Sequence, residues 1–388
     1  MEGGVFESFF LIFCGAAVVA SVALYTRQPL LVAYIAVGAI LGPFGLEIIK
    51  DVHYVAEMSH IGIIFLLFLL GLDMQPSALL NVLKKATSIA LISSAIFGAL
   101  GYGFGVIIGF SHMESLVLAM ASMFSSTIIG IKLLPTTVLH HKHSGDLMVG
   151  LLLFQDFIAI LCLLVLLSGG GDTVEPMKLI KAIAALPLLA AGAFLFVRFV
   201  LLKLIQKFDR FHEYIFLLAI GWCLGLAHLS ESVNLSAEIG AFIAGISLAT
   251  SPISQYIALN LRPLRDFFLV LFFFALGAQL NIPLLPSVLL PALIFAAVIL
   301  AAKPTVFFLL LKQQSEKTSL AWDLGFRLGQ ISEFSILIVF VAATNNLIGE
   351  QASLLIQTTA ILTFIVSSYI VIFNFPNPIA VSDKLRRD

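Results

Sequence analysis

Charged side chains are scarce in this 388-residue chain, where Asp, Glu, Lys and Arg together make up 11% of the residues and hydrophobic residues 60%. An average soluble domain is about 25% charged. With a mean hydropathy of +1.09, the composition excludes an ordinary soluble protein. The 21 basic and 22 acidic residues leave a formal net charge of −1. The chain therefore lacks the positive field that attracts nucleic acid, and we expect no nucleic-acid partner.

Cysteine is scarce as well. Cys14, Cys162 and Cys223 lie singly in apolar runs, which argues against a disulfide framework and against a zinc site. The sequence has no Gly-rich phosphate loop, no nucleophile beside a base and no pair of catalytic carboxylates. We therefore expect neither an enzyme nor a bound cofactor. Glu2 and Glu7 stand where a signal peptide carries basic residues, so we interpret the first apolar stretch as a retained helix.

Long apolar runs dominate what is present. A helix needs about 20 mainly apolar residues to cross a bilayer, and the sequence predicts an all-α polytopic membrane protein with about thirteen transmembrane helices, embedded in a lipid bilayer. The predicted spans lie near residues 8–25, 30–48, 59–72, 86–110, 115–137, 147–167, 178–203, 213–229, 236–250, 266–280, 288–311, 319–343 and 351–373.

The basic residues predict the orientation of these spans, because cytoplasmic loops are enriched in Lys and Arg. With thirteen spans, fourteen Lys and Arg residues fall in loops on one side and only Lys50 falls on the other. We predict that the N-terminus lies outside and the C-terminus inside. Residues 1–375 then form one transmembrane domain, and residues 376–388 form a short cytoplasmic tail.

Two halves of the sequence resemble each other. The third span ends with a Leu-Gly motif at Gly71 and the tenth with a similar motif at Gly277, 206 residues later. The small residues from Gly38 to Pro43 in the second span resemble those that begin at Gly245 in the ninth. Paired spans are seven apart in order, which is an odd number, so the pattern predicts two inverted repeats joined by the seventh span. Chance likeness between Gly-containing apolar helices is the alternative.

Asp156 lies near the middle of the sixth predicted span, in Leu153-Phe154-Gln155-Asp156-Phe157. A charge at the bilayer centre costs at least about 2.5–3.5 kcal/mol on insertion scales, so an ionisable residue there is by default a functional candidate. The structural alternatives are a fixed salt bridge and a helix that lies at the membrane interface.

Lys303 is the second such residue and lies before Pro304 in the eleventh predicted span. A lysine in hydrocarbon is expected to pair with a carboxylate or to lose its proton, and Asp156 is the obvious partner. The alternative is that Lys303 extends its ammonium to water.

Polar and glycine residues interrupt the fifth and the twelfth spans at corresponding places, since Thr127 and Glu333 are again 206 residues apart. Such paired interruptions predict broken helices whose ends surround an ion site near the midplane. Ordinary small-residue packing is the alternative. The fifth span holds Ser122, Ser125, Ser126, Thr127 and Gly130, and the twelfth holds Gly325, Gly329, Gln330, Ser332 and Glu333.

Together, Gln155-Asp156, Lys303 and the run from Gly329 to Phe334 make the chain resemble the membrane domain of the Kef-type potassium efflux antiporters, in the monovalent cation/proton antiporter superfamily. The resemblance covers nearly the whole chain. It implies a homodimer in the plasma (inner) membrane. It also implies a dimerisation part near residues 1–85 and 213–285, an ion-transporting core near 86–167 and 286–375, and a linker helix near 178–203.

The resemblance also implies roles for the site residues. Asp156 binds the transported cation and the proton alternately, and transport proceeds by alternating access. The predicted cation and proton site consists of Asp156, Gln155, Thr127, Ser126 and Ser125, with Lys303 as charge partner and Gln330 and Glu333 as supporting polar residues.

Two departures from the Kef pattern affect regulation. The loop at residues 255–265 is basic instead of acidic, and only about a dozen residues follow the last span. We therefore do not expect regulation by nucleotide or glutathione.

The Gln-Asp pair resembles that of potassium exchangers, whereas paired aspartates resemble those of sodium exporters. The sequence thus favours K⁺/H⁺ exchange, with a Na⁺/H⁺ antiporter of the same fold and a proton-uncoupled potassium channel as alternatives.

Overall fold

The computed structural model describes residues 5–49, 53–73, 76–127, 130, 143–169, 176–208, 210–233, 235, 237–251 and 253–376. Within these ranges the chain forms fifteen α-helices and no strands. The helices are α1 (Val5–Tyr25), α2 (Leu30–Leu41), α3 (His53–Asp73), α4 (Pro76–Ile107), α5 (His112–Ser122), α6 (His143–Gly169), α7 (Pro176–Phe196), α8 (Leu202–Lys207), α9 (His212–Ser232), α10 (Ala237–Ala249), α11 (Ile253–Ala278), α12 (Leu285–Gln313), α13 (Thr318–Arg327), α14 (Glu333–Thr344) and α15 (Glu350–Asn374).

Six described helices are long and apolar enough to cross a bilayer, which agrees with the all-α membrane class. Shorter apolar helices such as α2 and α14 accompany them. The count of thirteen spans and the orientation stay predictions. The end of the fifth predicted span and the tail after Pro376 lie outside the described residues.

One predicted loop is wrong. Residues 255–265 form the first part of α11, which runs without interruption through Pro263. Ile257, Ala258 and Leu261 are buried, whereas Leu259 and Asn260 are exposed, so this stretch is an amphipathic helix that packs on one face. The missing N–H of Pro263 removes a single helical hydrogen bond, and the burial of that face outweighs this loss.

The chain divides into two compact units. Unit 1 comprises Met1–Gly15, Val37–Leu79 and Leu167–Gln279, and unit 2 comprises Ala16–Ala36, Leu80–Leu166 and Leu280–Asp388. The roles in dimerisation and transport that the resemblance implies stay predictions.

In unit 1, α3 packs against α10 with backbone touching backbone. A Cβ atom on Gly245 would lie 2.1 Å from the Phe68 carbonyl oxygen, and one on Gly71 would lie 2.6 Å from the Phe242 carbonyl oxygen. Only glycine fits at both positions, because real Cβ contacts are essentially never shorter than 3.0 Å.

A corresponding contact joins α2 and α11. A Cβ on Gly38 would lie 2.0 Å from the Phe274 carbonyl oxygen, and one on Gly42 would lie 2.7 Å from the Ala278 Cα. In the sequence repeat, α2 corresponds to α10 and α3 corresponds to α11. The contact between α2 and α11 is therefore the repeat-related equivalent of the contact between α3 and α10. The motifs that suggest the repeat in the sequence are therefore helix-contact motifs.

In unit 2, one apolar cluster holds α4, α6, α12 and α13 together. Its fully buried members include Phe97, Met148, Phe307 and Leu324, one from each helix. The rings of Phe97 and Phe307 meet edge to face, with centroids 5.4 Å apart. This cluster fixes α6, which carries Asp156, beside the interrupted helix α13.

Candidate ion-binding site

The first interruption follows α5. The helix ends at Ser122, residues 123–126 are not helical, and helical geometry resumes at Thr127. A helix end leaves backbone carbonyls without intrahelical donors and gives them a partial negative charge. The break therefore presents carbonyl oxygens inside unit 2, where the sequence predicts a broken helix.

The second interruption lies between α13 and α14. Residues 328–332 are not helical, and α14 begins at Glu333 with Ser332 as its N-cap. The Ser332 hydroxyl accepts the Phe334 N–H at 3.1 Å. Glu333 stands in the first turn, where a negative charge is favoured by the helix dipole.

Two side-chain hydrogen bonds join the two interruptions, and a third joins the helices α14 and α5 that flank them. The Ser125 hydroxyl donates to the Leu328 carbonyl at 2.7 Å, and the Gln330 amide donates to the Ser126 carbonyl at 3.4 Å. The Ser335 hydroxyl donates to the Ala121 carbonyl at 2.5 Å. The two broken segments are therefore one hydrogen-bonded unit, as the matching positions in the repeats predict.

Asp156 lies beside this unit, fully buried in α6. Its carboxylate accepts a hydrogen bond from the Thr127 hydroxyl, with Oγ1 at 3.1 Å from Oδ2 and 3.3 Å from Oδ1. Among the described residues this hydroxyl is its one hydrogen-bond partner. A buried carboxylate needs a positive charge or a proton to be stable, so this group is chemically suited to bind either one.

Gln155 points its amide at the first break. Its Oε1 accepts the Ser125 N–H at 3.1 Å, which satisfies a backbone donor that the broken helix leaves free. Its Nε2 is buried and has no hydrogen-bond partner among the described residues. Gln155 Oε1, which the sequence predicts as a cation ligand, therefore accepts a backbone hydrogen bond in this conformation. Gln155 thus supports the backbone of the first break.

Lys303 is fully buried at the meeting point of the two breaks. Its ammonium donates to the Phe124 carbonyl, to the Gln330 carbonyl at 3.0 Å and to the Ser125 hydroxyl at 3.5 Å. It also lies 5.2 Å from the centroid of the Phe97 ring. One side chain thus forms hydrogen bonds with carbonyls from both broken segments.

The predicted ion pair between Lys303 and Asp156 is absent from this conformation. In the part of the chain that the structure describes, the two side chains form no hydrogen bond, and no nitrogen of Lys303 lies within 4 Å of an oxygen of Asp156. The Lys303 amine donates to the Phe124 and Gln330 carbonyls instead, and the Asp156 carboxylate accepts a hydrogen bond from Thr127. The alternative, in which Lys303 extends its side chain to water, is excluded in this conformation as well, since Lys303 has no exposed surface.

A second acid acts on Asp156. Glu333 is 7% exposed, and its charge repels that of Asp156. Two buried carboxyl groups, one from α6 and one from α14, therefore lie in this region together with the Lys303 side chain.

The last helix, α15, contributes side chains that the sequence analysis missed. The Ser367 hydroxyl donates to Oε1 of Gln330 at 2.8 Å, and the Thr363 hydroxyl accepts the Ile331 N–H at 3.2 Å. Thr359, Thr363 and Ser367 are buried and recur every four residues. That spacing places them on one helix face, and it is the signal that could have identified them.

Arg327 pairs with Asp323 on α13, where its Nε donates to Oδ1 at 2.8 Å. The other end of the guanidinium donates to the Pro376 carbonyl at 2.6 Å. Arg327 is 1% exposed, and these contacts give it a structural role at the end of the half-helix.

Comparison with known proteins agrees with this arrangement. Residues 4–373 match the family described as sodium/hydrogen exchanger, transmembrane. The structure of the sodium proton antiporter MjNhaP1 from Methanocaldococcus jannaschii at pH 8 is similar with a TM-score of 0.70 and 19% identity, covering 94% of this chain and 96% of that chain. An electron-microscopy map of MjNhaP1 gives a TM-score of 0.63 and 20% identity, covering 95% of each chain. At these identities the likeness establishes the fold.

Proposed function

Because the chain belongs to the sodium/hydrogen exchanger family and is thus a cation/proton antiporter, we propose that it exchanges K⁺ for H⁺ by alternating access, with Asp156 as the shared binding group. The observation that carries the proposal is the buried Asp156 carboxylate, whose hydrogen-bond partner is the Thr127 hydroxyl. A carboxylate in a low-dielectric environment is stable only with a compensating charge or proton. Cation and proton therefore bind there in turn.

K⁺ is proposed because the residue before Asp156 is a glutamine. The site thus has one carboxylate in α6, together with neutral oxygens from Thr127 and the broken segments, and a weakly charged set of oxygen ligands suits a large monovalent cation. Na⁺ is the second candidate. It is favoured by the family's description and by MjNhaP1, which is a sodium proton antiporter.

Exchange in proteoliposomes tests both candidates. Vesicles that contain a pH-sensitive dye are exposed to equal outward gradients of K⁺, Na⁺, Li⁺ or Rb⁺. We expect the largest proton uptake with K⁺. A larger response to Na⁺ would assign the second candidate, and cation flux without any pH change would indicate a channel.

Asp156→Asn should lower exchange to the level of empty vesicles, because the amide binds neither a proton nor a cation by charge. In the wild type, the half-saturating cation concentration should rise as the pH falls, since the two ligands compete for one carboxylate. The control is Asp266→Asn, which removes an exposed acid. Wild-type exchange by Asp156→Asn would exclude this mechanism.

We also propose that the protein is a homodimer in the plasma (inner) membrane and that no nucleotide or glutathione regulates this chain. The homodimer and the membrane rest on the Kef-type resemblance, and the regulation rests on the basic residues at 255–265, where the Kef pattern is acidic. Mass photometry in lipid nanodiscs would test the dimer. Exchange assays with each compound added at millimolar concentration would test the regulation.

A further inference from the structure

A cavity of about 300 Å³ lies in unit 1, apart from the ion site. It opens between the first turn of α9 and the first nine residues of α11. His212, Glu213 and Phe216 line it from α9, and Tyr256, Asn260 and Leu261 line it from α11. The ring of His212 lies 5.6 Å from that of Tyr256, and the Tyr256 hydroxyl is hydrogen-bonded to His212 Nδ1. This contact holds the two helix ends together at the cavity.

The cavity is amphipathic. Its floor is formed by Ile215, Ile257 and Leu261, each 3% exposed or less. Its rim carries the exposed polar side chains of Glu213 and Asn260. The Asn260 Nδ2 donates to the Tyr256 carbonyl at 2.8 Å, which leaves its Oδ1 as an acceptor. A ligand that fits must therefore combine an apolar part with a polar head that donates hydrogen bonds.

The position of the cavity indicates a lipid. Helix α9 is one of the long apolar helices, and the cavity lies at its first turn. Large apolar side chains beside it are exposed, among them Phe216 (39%), Leu217 (67%) and Leu259 (55%). In a bilayer this is the level where hydrocarbon gives way to headgroups.

Charges of both signs occur in the cavity lining and in the segment that precedes α9 in the sequence. Glu213 supplies a carboxylate within the lining, and the preceding segment supplies Lys203, Lys207 and Arg210, with Asp209 between them in the sequence. A purely anionic headgroup would meet the carboxylate of Glu213. A zwitterionic headgroup can place its amine against Glu213 and its phosphate toward the basic segment.

We propose that this cavity binds the headgroup of phosphatidylethanolamine. The primary ammonium of this lipid has three N–H donors, like that of lysine, and these fit the Glu213 carboxylate and the Asn260 Oδ1. The face of the Tyr256 ring supplies a further favourable surface for a cation. Phosphatidylcholine has a similar charge but no N–H donors, so it should bind less tightly. This proposal does not depend on which ion the protein transports.

Native mass spectrometry of the full chain, with equal amounts of phosphatidylethanolamine and phosphatidylcholine of identical acyl chains, tests the proposal. We expect an ethanolamine preference of about two- to fivefold, the size of one exposed charged contact. Glu213→Gln should reduce this preference to about one. The matched control is Glu231→Gln, which removes an exposed acid at the opposite end of α9 and should keep the preference.

Asn260→Asp is a variant that should strengthen the preference for phosphatidylethanolamine. It replaces an exposed amide by a second carboxylate at the rim, so it should increase the ethanolamine preference, a result that misfolding cannot produce. Soluble phosphoethanolamine in excess should not displace the lipid, because it leaves the apolar floor empty. Equal binding of the two lipids by the wild type, or stronger binding of phosphatidylglycerol, would overturn the proposal.

Discussion

Thr127 and Gln155 contribute to the ion site in different ways, although both flank Asp156. The Thr127 hydroxyl donates a hydrogen bond to the Asp156 carboxylate, whereas the Gln155 side-chain carbonyl accepts one from the Ser125 N–H. Substitutions should therefore separate cation affinity from protein stability.

Thr127→Val should weaken apparent cation affinity by about tenfold, the effect of losing about 1.4 kcal/mol of binding free energy, with little change in Tm. Gln155→Leu should lower the free energy of unfolding by about 1–3 kcal/mol, because it leaves the buried Ser125 N–H unsatisfied. Thr127→Ser keeps the hydroxyl and serves as control. Initial rates of exchange and thermal unfolding in detergent measure the two effects, and equal affinity in Thr127→Val and Thr127→Ser would contradict the first.

Lys303→Gln should destabilise the protein because it removes the amine that donates to the Phe124 and Gln330 carbonyls. Leaving a buried hydrogen-bonding group without its partner costs about 1–3 kcal/mol, so we expect a loss of about 2 kcal/mol and a shifted pH profile of exchange. Lys312→Gln, at the exposed end of the same helix, should have neither effect. Unchanged stability in Lys303→Gln would contradict this role of the Lys303 amine.

At the scale of helices, the contact between α3 and α10 depends on the absence of side chains. Gly245→Ala should lower the free energy of unfolding by about 1–3 kcal/mol, since its Cβ would meet the Phe68 carbonyl, a backbone atom that cannot rotate away.

The control for Gly245→Ala is Gly225→Ala in α9, where a Cβ would meet nothing within 4 Å. That change should be neutral or stabilising by up to about 1 kcal/mol, because alanine favours helix more than glycine does. Thermal unfolding of both variants in the same detergent makes the comparison. Equal Tm values for the two would contradict the close packing.

Glu114 links the start of α5 to the residue before α15. Its carboxylate accepts the Ser111 N–H at 3.0 Å and the Gly349 N–H at 3.1 Å. Partial burial raises the pKa of Glu114, but the hydrogen bonds from Ser111 and Gly349 hold this pKa below its ordinary value. A lowered pKa in the folded state means that the ionised form stabilises the fold above the ordinary pKa and that this stabilisation disappears as the pH falls.

Glu114→Gln should therefore lower the Tm slightly at pH 7, and the difference from the wild type should shrink as the pH falls below about 4.3, the ordinary pKa of glutamate. Thermal unfolding across this pH range is the measurement. A Tm difference that grows on acidification would reverse the assigned sign.

The sequence predicts helix interruptions better than it predicts helix boundaries. Both breaks are evident from clustered Gly, Ser and Gln in otherwise apolar spans, since these residues are costly in lipid unless they have a structural reason. The extension of α11 through Pro263 is missed, because proline and two arginines are also typical of a loop. Its burial against other helices, which decides the outcome, is a tertiary property.

At the scale of the whole molecule, the sequence indicates the membrane class, the repeat and the acid and lysine of the site. It does not predict what Lys303 contacts. Pairing with Asp156 follows from charge alone, whereas the observed contacts depend on where two broken helices place their carbonyls. That geometry arises from segments about 180 and 30 residues away from Lys303, and no local pattern encodes it.

The matching glycine contacts have a consequence for the origin of the chain. Each of these two contacts joins one helix from the first half of the chain with one from the second half. A symmetric dimer of a half-length ancestor would contain the same contact twice. In the predicted topology, six spans return a half to the side where it began. Fusing two such copies in opposite orientations after a gene duplication requires one additional crossing. The seventh span, α7, supplies that crossing, which explains why an odd number of predicted spans accompanies two equal halves.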